Sequence, residues 1–178
     1  GLSFRDFMAG SLPGFEGQFP SMADFEDHVT TAFPEVRLKG YLEMRGADGG
    51  SWRNICALPA LWVGLLYDDG ALDAAESLIK GITASDVEAA RMAVAKDGLQ
   101  AEMAGRSVHK IAHEVLEIAE AGLKSRKLLD SKGEDERKYL APLQEIVKSG
   151  KTYADEMLDK YYSAWDEDIT HIFKEYHY

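Results

Sequence analysis

Residues 35–52, EVRLKGYLEMRGADGGSW, decide how the rest of the chain is read. Val36, Leu38, Leu42 and Met44 alternate with Arg37, Lys39, Glu43 and Arg45, a period-two pattern that predicts one strand over Val36–Arg45. Side chains two apart on a strand share a face, so Glu43 and Arg45 project together while Leu42 and Met44 are expected to face a core. Gly40 marks a bulge or a close approach within that strand. The glycine-bearing turn Gly46-Ala-Asp-Gly-Gly50 follows directly and permits backbone to come close to a ligand. A carboxylate beside a guanidinium suits a site handling magnesium and phosphate. Carboxylate oxygen is a hard ligand for the metal, and the Arg fork matches phosphoryl oxygens. The alternative is an edge-strand salt bridge beside a surface turn, and the pattern of residues leaves both readings open. The glycines form neither a P-loop nor a GxGxxG fingerprint.

Before this stretch, residues 1–34 are rich in turn formers, with a short helix predicted at Ser21–Thr31, capped by Ser21 and ended ahead of Pro34. After it the pattern turns helical. Trp52–Tyr67 is apolar on nearly all sides, and Pro59 is expected to kink or divide it. Further helices are predicted at Ala71–Lys80, from Thr83 or Ser85 to about Lys96, at Ser107–Lys127, Glu134–Lys148 and Thr152–Tyr162, with a solvated turn at Asp130–Gly133. The fold class is therefore α+β but predominantly α-helical. Residues 1–52 form a strand-bearing segment with the glycine-bearing turn, and residues 53–178 a helical subdomain.

The 178 residues suit one domain of ordinary size, and 46% apolar with 29% charged residues marks a globular chain. A formal charge of −11 opposes sequence-independent nucleic-acid binding, because phosphate would be repelled on average. The longest apolar run, Ile55–Tyr67, has 13 residues and is interrupted by Pro59 and Gly64, short of the roughly 20 that a membrane helix needs. No signal peptide is read at the start, so neither nucleic acid nor membrane is an expected partner. Cys56 is the only cysteine, which points to a reducing compartment, taken as the cytoplasm. The chain opens on Gly1, and GLSFRDFM reads as mid-chain, so a piece of a longer protein is expected.

Other constellations have structural explanations. His109 and His113 are one turn apart, with Glu117 a turn further, a spacing that can hold zinc; Lys110 stands where an HExxH motif has Glu. Cys56 sits among apolar residues, the usual place of an inert thiol. The aromatic tail (Trp165, Phe173, Tyr176, Tyr178) is expected to dock on the core or on another part of the protein.

From Thr30-Thr31 through FPEVRLKGYLEMRGADGGSWRNICALPALWVGLLYD (residues 33–68), the chain resembles glutamate–cysteine ligases of the plant and proteobacterial type. The resemblance continues through Gly122–Arg126, through LAPLQEIV at residues 140–147, and to the acidic-aromatic tail, as the C-terminal portion of a longer enzyme. It implies an ATP-dependent ligase that joins the γ-carboxylate of glutamate to the amine of cysteine through an acyl phosphate, the first step toward glutathione. It also implies a catalytic domain like that of glutamine synthetase, with a curved antiparallel sheet lining the site. ATP and Mg²⁺ are the implied cofactors. Glutamate, cysteine and the remainder of the ligase chain are the implied partners, and the 178 residues alone are expected to be inactive.

Carried over by motif, Glu43 is similar to a metal-ligating carboxylate, Arg45 to a catalytic and substrate-binding guanidinium, and Trp52 to an aromatic at the amino-acid pocket. Asp48 matches the motif with a less defined role, and Arg37 and Lys39 face substrate or solvent. Cys56 stands where plant relatives form a redox-regulating disulfide, whose partner would lie outside this chain. Gly40, Ser51 and Asn54 depart from the family's usual basic residue, Pro and Arg. The competing function class is a helical interaction or regulatory module that keeps the motif for packing only.

Overall fold

The computed structural model describes residues 2–176, and the chain divides into two compact units, Gly1–Asp48 and Gly49–Tyr178. Helix makes up 61% of the chain, with two small antiparallel sheets, an α+β arrangement dominated by helices.

In the first unit, α1 (Phe4–Met8) is followed by a glycine-rich passage and α2 (Met22–Thr30). Ser21 starts α2 through a capping box: its hydroxyl accepts the Asp24 N–H while the Asp24 carboxylate accepts the Ser21 N–H at 2.7 Å. Phe4 stacks on His28 at 4.3 Å and meets Phe7 and Phe25 at 5.9 Å, yet neither α1 nor α2 has a buried residue.

The single strand expected over Val36–Arg45 is instead a hairpin. β1 (Val36–Leu38) pairs antiparallel with β2 (Leu42–Met44), with partners Val36–Met44, Arg37–Glu43 and Leu38–Leu42. Lys39-Gly40-Tyr41 make the turn, closed by the Lys39 N–H on the Tyr41 carbonyl at 2.8 Å, and the Arg45 N–H extends the ladder to the Glu35 carbonyl at 2.8 Å. Gly40 marks that reversal and no bulge. The expectation that Leu42 faces a core also fails: Leu42 is 61% and Leu38 78% exposed, while Arg37, Glu43 and Arg45 are half-buried.

The second unit is built on α3 (Trp52–Leu66), α4 (Asp69–Ile79), α5 (Ala84–Asp97), α6 (Val108–Arg126), α7 (Ala141–Ser149), α8 (Tyr153–Tyr161) and the short α9 (Ile172–Glu175). Its core joins Ala60 and Leu65 of α3, Leu116, Ala119 and Leu123 of α6, Leu140, and Val147 of α7. α3 and α6 touch backbone to backbone. A Cβ on Gly64 would lie 2.4 Å from the Ala119 carbonyl oxygen, and one on Gly122 would lie 1.9 Å from that of Gly64. Only glycine fits at these two positions.

Pro59 does not divide α3. It removes one N–H from the middle of the helix, but Ala57, Ala60, Gly64 and Leu65 are buried around it, and that packing outweighs a penalty of about 3 kcal/mol. The helix expected over Glu134–Lys148 divides into a 3₁₀ turn, Glu136–Leu140, and α7, because Pro142 suits only the first turn of a helix. A two-residue-strand hairpin, β3 (Glu102–Met103) with β4 (Arg106–Ser107), precedes α6 and has no clear sequence signal beyond Gly105 at positive φ. In the tail, Trp165 is buried and donates its indole N–H to Glu175 at 2.7 Å, with Tyr176 edge-on at 6.2 Å. Phe173 is exposed, and Tyr178 lies outside the described residues.

Candidate functional site

The register of the first hairpin sets the site. Arg37 stands directly opposite Glu43, and Arg45 lies two residues beyond Glu43, so the three side chains share one face. The Arg37 guanidinium meets Glu43 on a single oxygen: Nε donates to Oε2 at 2.7 Å, and a terminal nitrogen of the same ion pair lies 2.6 Å from it. Arg45 Nε is 3.9 Å from the same Oε2, and its guanidinium lies over the Phe33 ring at 5.3 Å. The three groups carry a net charge of +1, and Arg45 keeps most of its donor capacity for an anion. The expected pairing of Glu43 with Arg45 is therefore present, but its closer partner is Arg37, which the sequence left facing substrate or solvent.

Within the same unit the turn after β2 packs tightly. A Cβ on Gly46 would come within 2.6 Å of the Glu35 carboxylate, the mobile end of an exposed side chain, and Gly46 has no positive φ.

In the second unit, Trp52 is the first residue of α3 and is 75% exposed. Asn54 accepts the Tyr153 hydroxyl at 3.0 Å, tying α3 to α8, and Arg53 pairs with Glu145 at 2.7 Å, which holds its guanidinium above the ordinary value. Cys56 is a free, half-buried thiol lining a cavity of about 270 Å³ with Pro59, Ala60, Val63, Glu136 and Tyr139. The histidine pair is not a metal centre: His109 Nε2 bonds the Val147 carbonyl at 2.5 Å and so ties α6 to α7, while His113 sits 3.4 Å from Glu117.

Magnesium takes six oxygens in near-octahedral geometry, commonly one or two carboxylates with phosphate and water. Here a single carboxylate lies on the hairpin face, its Oε2 already paired, and no group of three or more His, Cys, Asp or Glu is gathered among the described residues. By themselves these residues do not fit a magnesium ion.

Residues 11–175 match the family model described as glutamate-cysteine ligase family 2. The chain belongs to that family. It is 45% identical over 175 residues to the chloroplastic glutamate–cysteine ligase of Solanum lycopersicum, and 44% and 43% identical to those of Arabidopsis thaliana and Medicago truncatula. Each match takes in 98% of this chain but only 32%, 32% and 33% of the relative, so the chain spans about a third of the length of the curated relatives it matches. The names of these glutamate–cysteine ligases also correct the cytoplasmic expectation, because they describe the relatives as chloroplastic. A single cysteine argues only for a reducing environment, and the step from there to the cytoplasm does not follow from a thiol count. Among the described residues no single helix is long and apolar enough to cross a membrane.

Proposed function

We propose that this chain forms one wall of the active site of an ATP-dependent ligase that makes γ-glutamylcysteine from glutamate and cysteine, and that it is the C-terminal portion of that protein. The observation that carries this reading is the Arg37–Glu43–Arg45 face of the hairpin, within a chain of the glutamate–cysteine ligase family. A carboxylate is a poor electrophile. ATP makes it reactive by converting it to an acyl phosphate, which the cysteine amine then attacks with release of phosphate.

Arg45 binds anionic oxygen of the substrate carboxylate or of the phosphoryl group. Its fork is planar, permanently charged and steadied by Phe33. Such a group acts mainly by position, because its charge already points where negative charge gathers. Trp52, exposed at the start of α3, offers an indole face to the amino-acid substrate. Glu43 supplies at most one magnesium ligand, and the other oxygens belong to residues outside this chain. Cys56 is a candidate redox thiol whose partner lies outside it as well.

A glutamine-synthetase-like sheet is supported by the hairpin itself. Two strands of three residues are too small to stand alone, and their apolar side, Val36, Leu38 and Leu42, is exposed. Further strands from the rest of the protein would pair with its edges, and a packed layer would cover that face.

Phosphate release dependent on ATP and glutamate in the presence of cysteine tests the reading. The full-length protein carrying this sequence is expected to turn over and the isolated 178 residues are not. Sustained turnover by the isolated chain contradicts the single-wall assignment, and none by the full-length protein contradicts the ligase assignment.

A further inference from the structure

We infer that Arg37 is a positioning residue for Glu43: it fixes the carboxylate through Oε2 and so sets where Oε1 is presented. The inference rests on the ligase reading above and deepens it. Arg37 and Glu43 are forced into opposition by the strand register, so neither has to search for the other. The Arg37 Nε–H bonds Oε2 at 2.7 Å and a terminal nitrogen lies 2.6 Å from that same oxygen, instead of one nitrogen on each oxygen as in a fork-to-fork pair. Arg45 approaches that same oxygen to 3.9 Å. Oε2 is thus loaded by two cations, and the Arg37 pair holds the carboxylate without using Oε1. A bidentate pair would have consumed both oxygens and left Glu43 a surface salt bridge. The one-oxygen grip keeps a negatively charged acceptor oriented and available to whatever the site binds, in the way an outer partner orients a ligating or reacting group.

Arg37 should therefore act on the reaction only through Glu43. In the full-length protein, Arg37→Gln is expected to lower kcat by about 10- to 100-fold, with the KM values for ATP, glutamate and cysteine changed by less than about twofold, the range left when an oriented group rather than a binding contact is lost. Arg37→Lys should recover part of the rate, because an ammonium restores the charge but not the fixed planar geometry of the guanidinium. In the Glu43→Gln background, Arg37→Gln should cost nothing further. An equal loss in both backgrounds, or an unchanged kcat in Arg37→Gln, overturns the inference.

A second readout separates this from failure of the ligase reading. In the 178-residue chain, the Arg37 Nε–H NMR signal should be slowed in solvent exchange, and Glu43→Gln should abolish the slowing. Fast exchange in the unmodified chain overturns the positioning role even if the enzyme is active. Slow exchange in a full-length protein that makes no γ-glutamylcysteine overturns the ligase reading, and the reaction-specific role of Arg37 falls with it.

Discussion

The unit Gly49–Tyr178 hides its apolar side chains and the unit Gly1–Asp48 shows them. Every buried core residue, from Ala57 to Trp165, belongs to the helical unit, where Leu123 and Leu140 are fully enclosed. In the first unit Phe15, Phe19, Phe25, Phe33, Leu38 and Leu42 are all exposed, although several of its rings touch one another. The polar face of its hairpin is better covered than the apolar one. One region contains the means of its own stability. The other carries the Arg37–Glu43–Arg45 face and leaves apolar side chains exposed, in a chain spanning about a third of the length of its relatives.

The contrast can be broken most forcefully at the α3–α6 contact. Gly122→Val places atoms where the Gly64 carbonyl already stands, and the loss should be about 3 kcal/mol or more of unfolding free energy in urea followed by circular dichroism. Next in size is Leu123→Ala in the closed core, expected to cost about 2–5 kcal/mol in the same experiment. In the hairpin, Leu38→Ser should change the stability of the 178-residue chain by less than about 0.5 kcal/mol, as surface substitutions do. A loss comparable to that of Leu123→Ala would show that the hairpin face is packed after all, and the contrast between the units would fail.

The smallest effect is electrostatic. Asp130 bonds Lys138 and accepts the N–H groups of Lys132 and Glu134, and these contacts, the Lys138 bond foremost, hold its carboxyl down at about 2. Its folded pKa lies below the unfolded value of about 4. The stabilisation is therefore complete above about pH 4 and is lost as pH falls toward 2. Thermal midpoints of the unmodified chain and Asp130→Asn should differ slightly at pH 7 and converge near pH 2. A gap that widens on acidification would contradict this.

Much of the helical unit was legible because its signals are local. Thr83 forms the capping box that its sequence announces, and the apolar period of residues 108–123 places Ile111, Ala119 and Leu123 inward in α6. The hairpin was misread for a definite geometric reason. In its register the numbers of paired residues sum to 80, so partners have the same parity. One strand and one hairpin then put Arg37, Glu43 and Arg45 on the same face, and alternation cannot tell them apart. Only Gly40 distinguishes the two, and a glycine inside an alternating run is equally compatible with a bulge. The face shared by Glu43 and Arg45 was consequently legible, whereas the Arg37 partnership was not. The division of Glu134–Lys148 was signalled by Pro142 and masked by apolar residues at helical spacing on both sides of it.

On the proposed reading, Glu43 and its neighbours on the hairpin face take part in the reaction. The most direct measurement is kcat together with the urea midpoint for Glu43→Gln in the full-length protein. A fall in kcat on the order of 10²-fold or more, with the midpoint unchanged, is the predicted result. Unchanged turnover would contradict a role for Glu43 in the reaction and leave the YLEMR motif with a packing role alone.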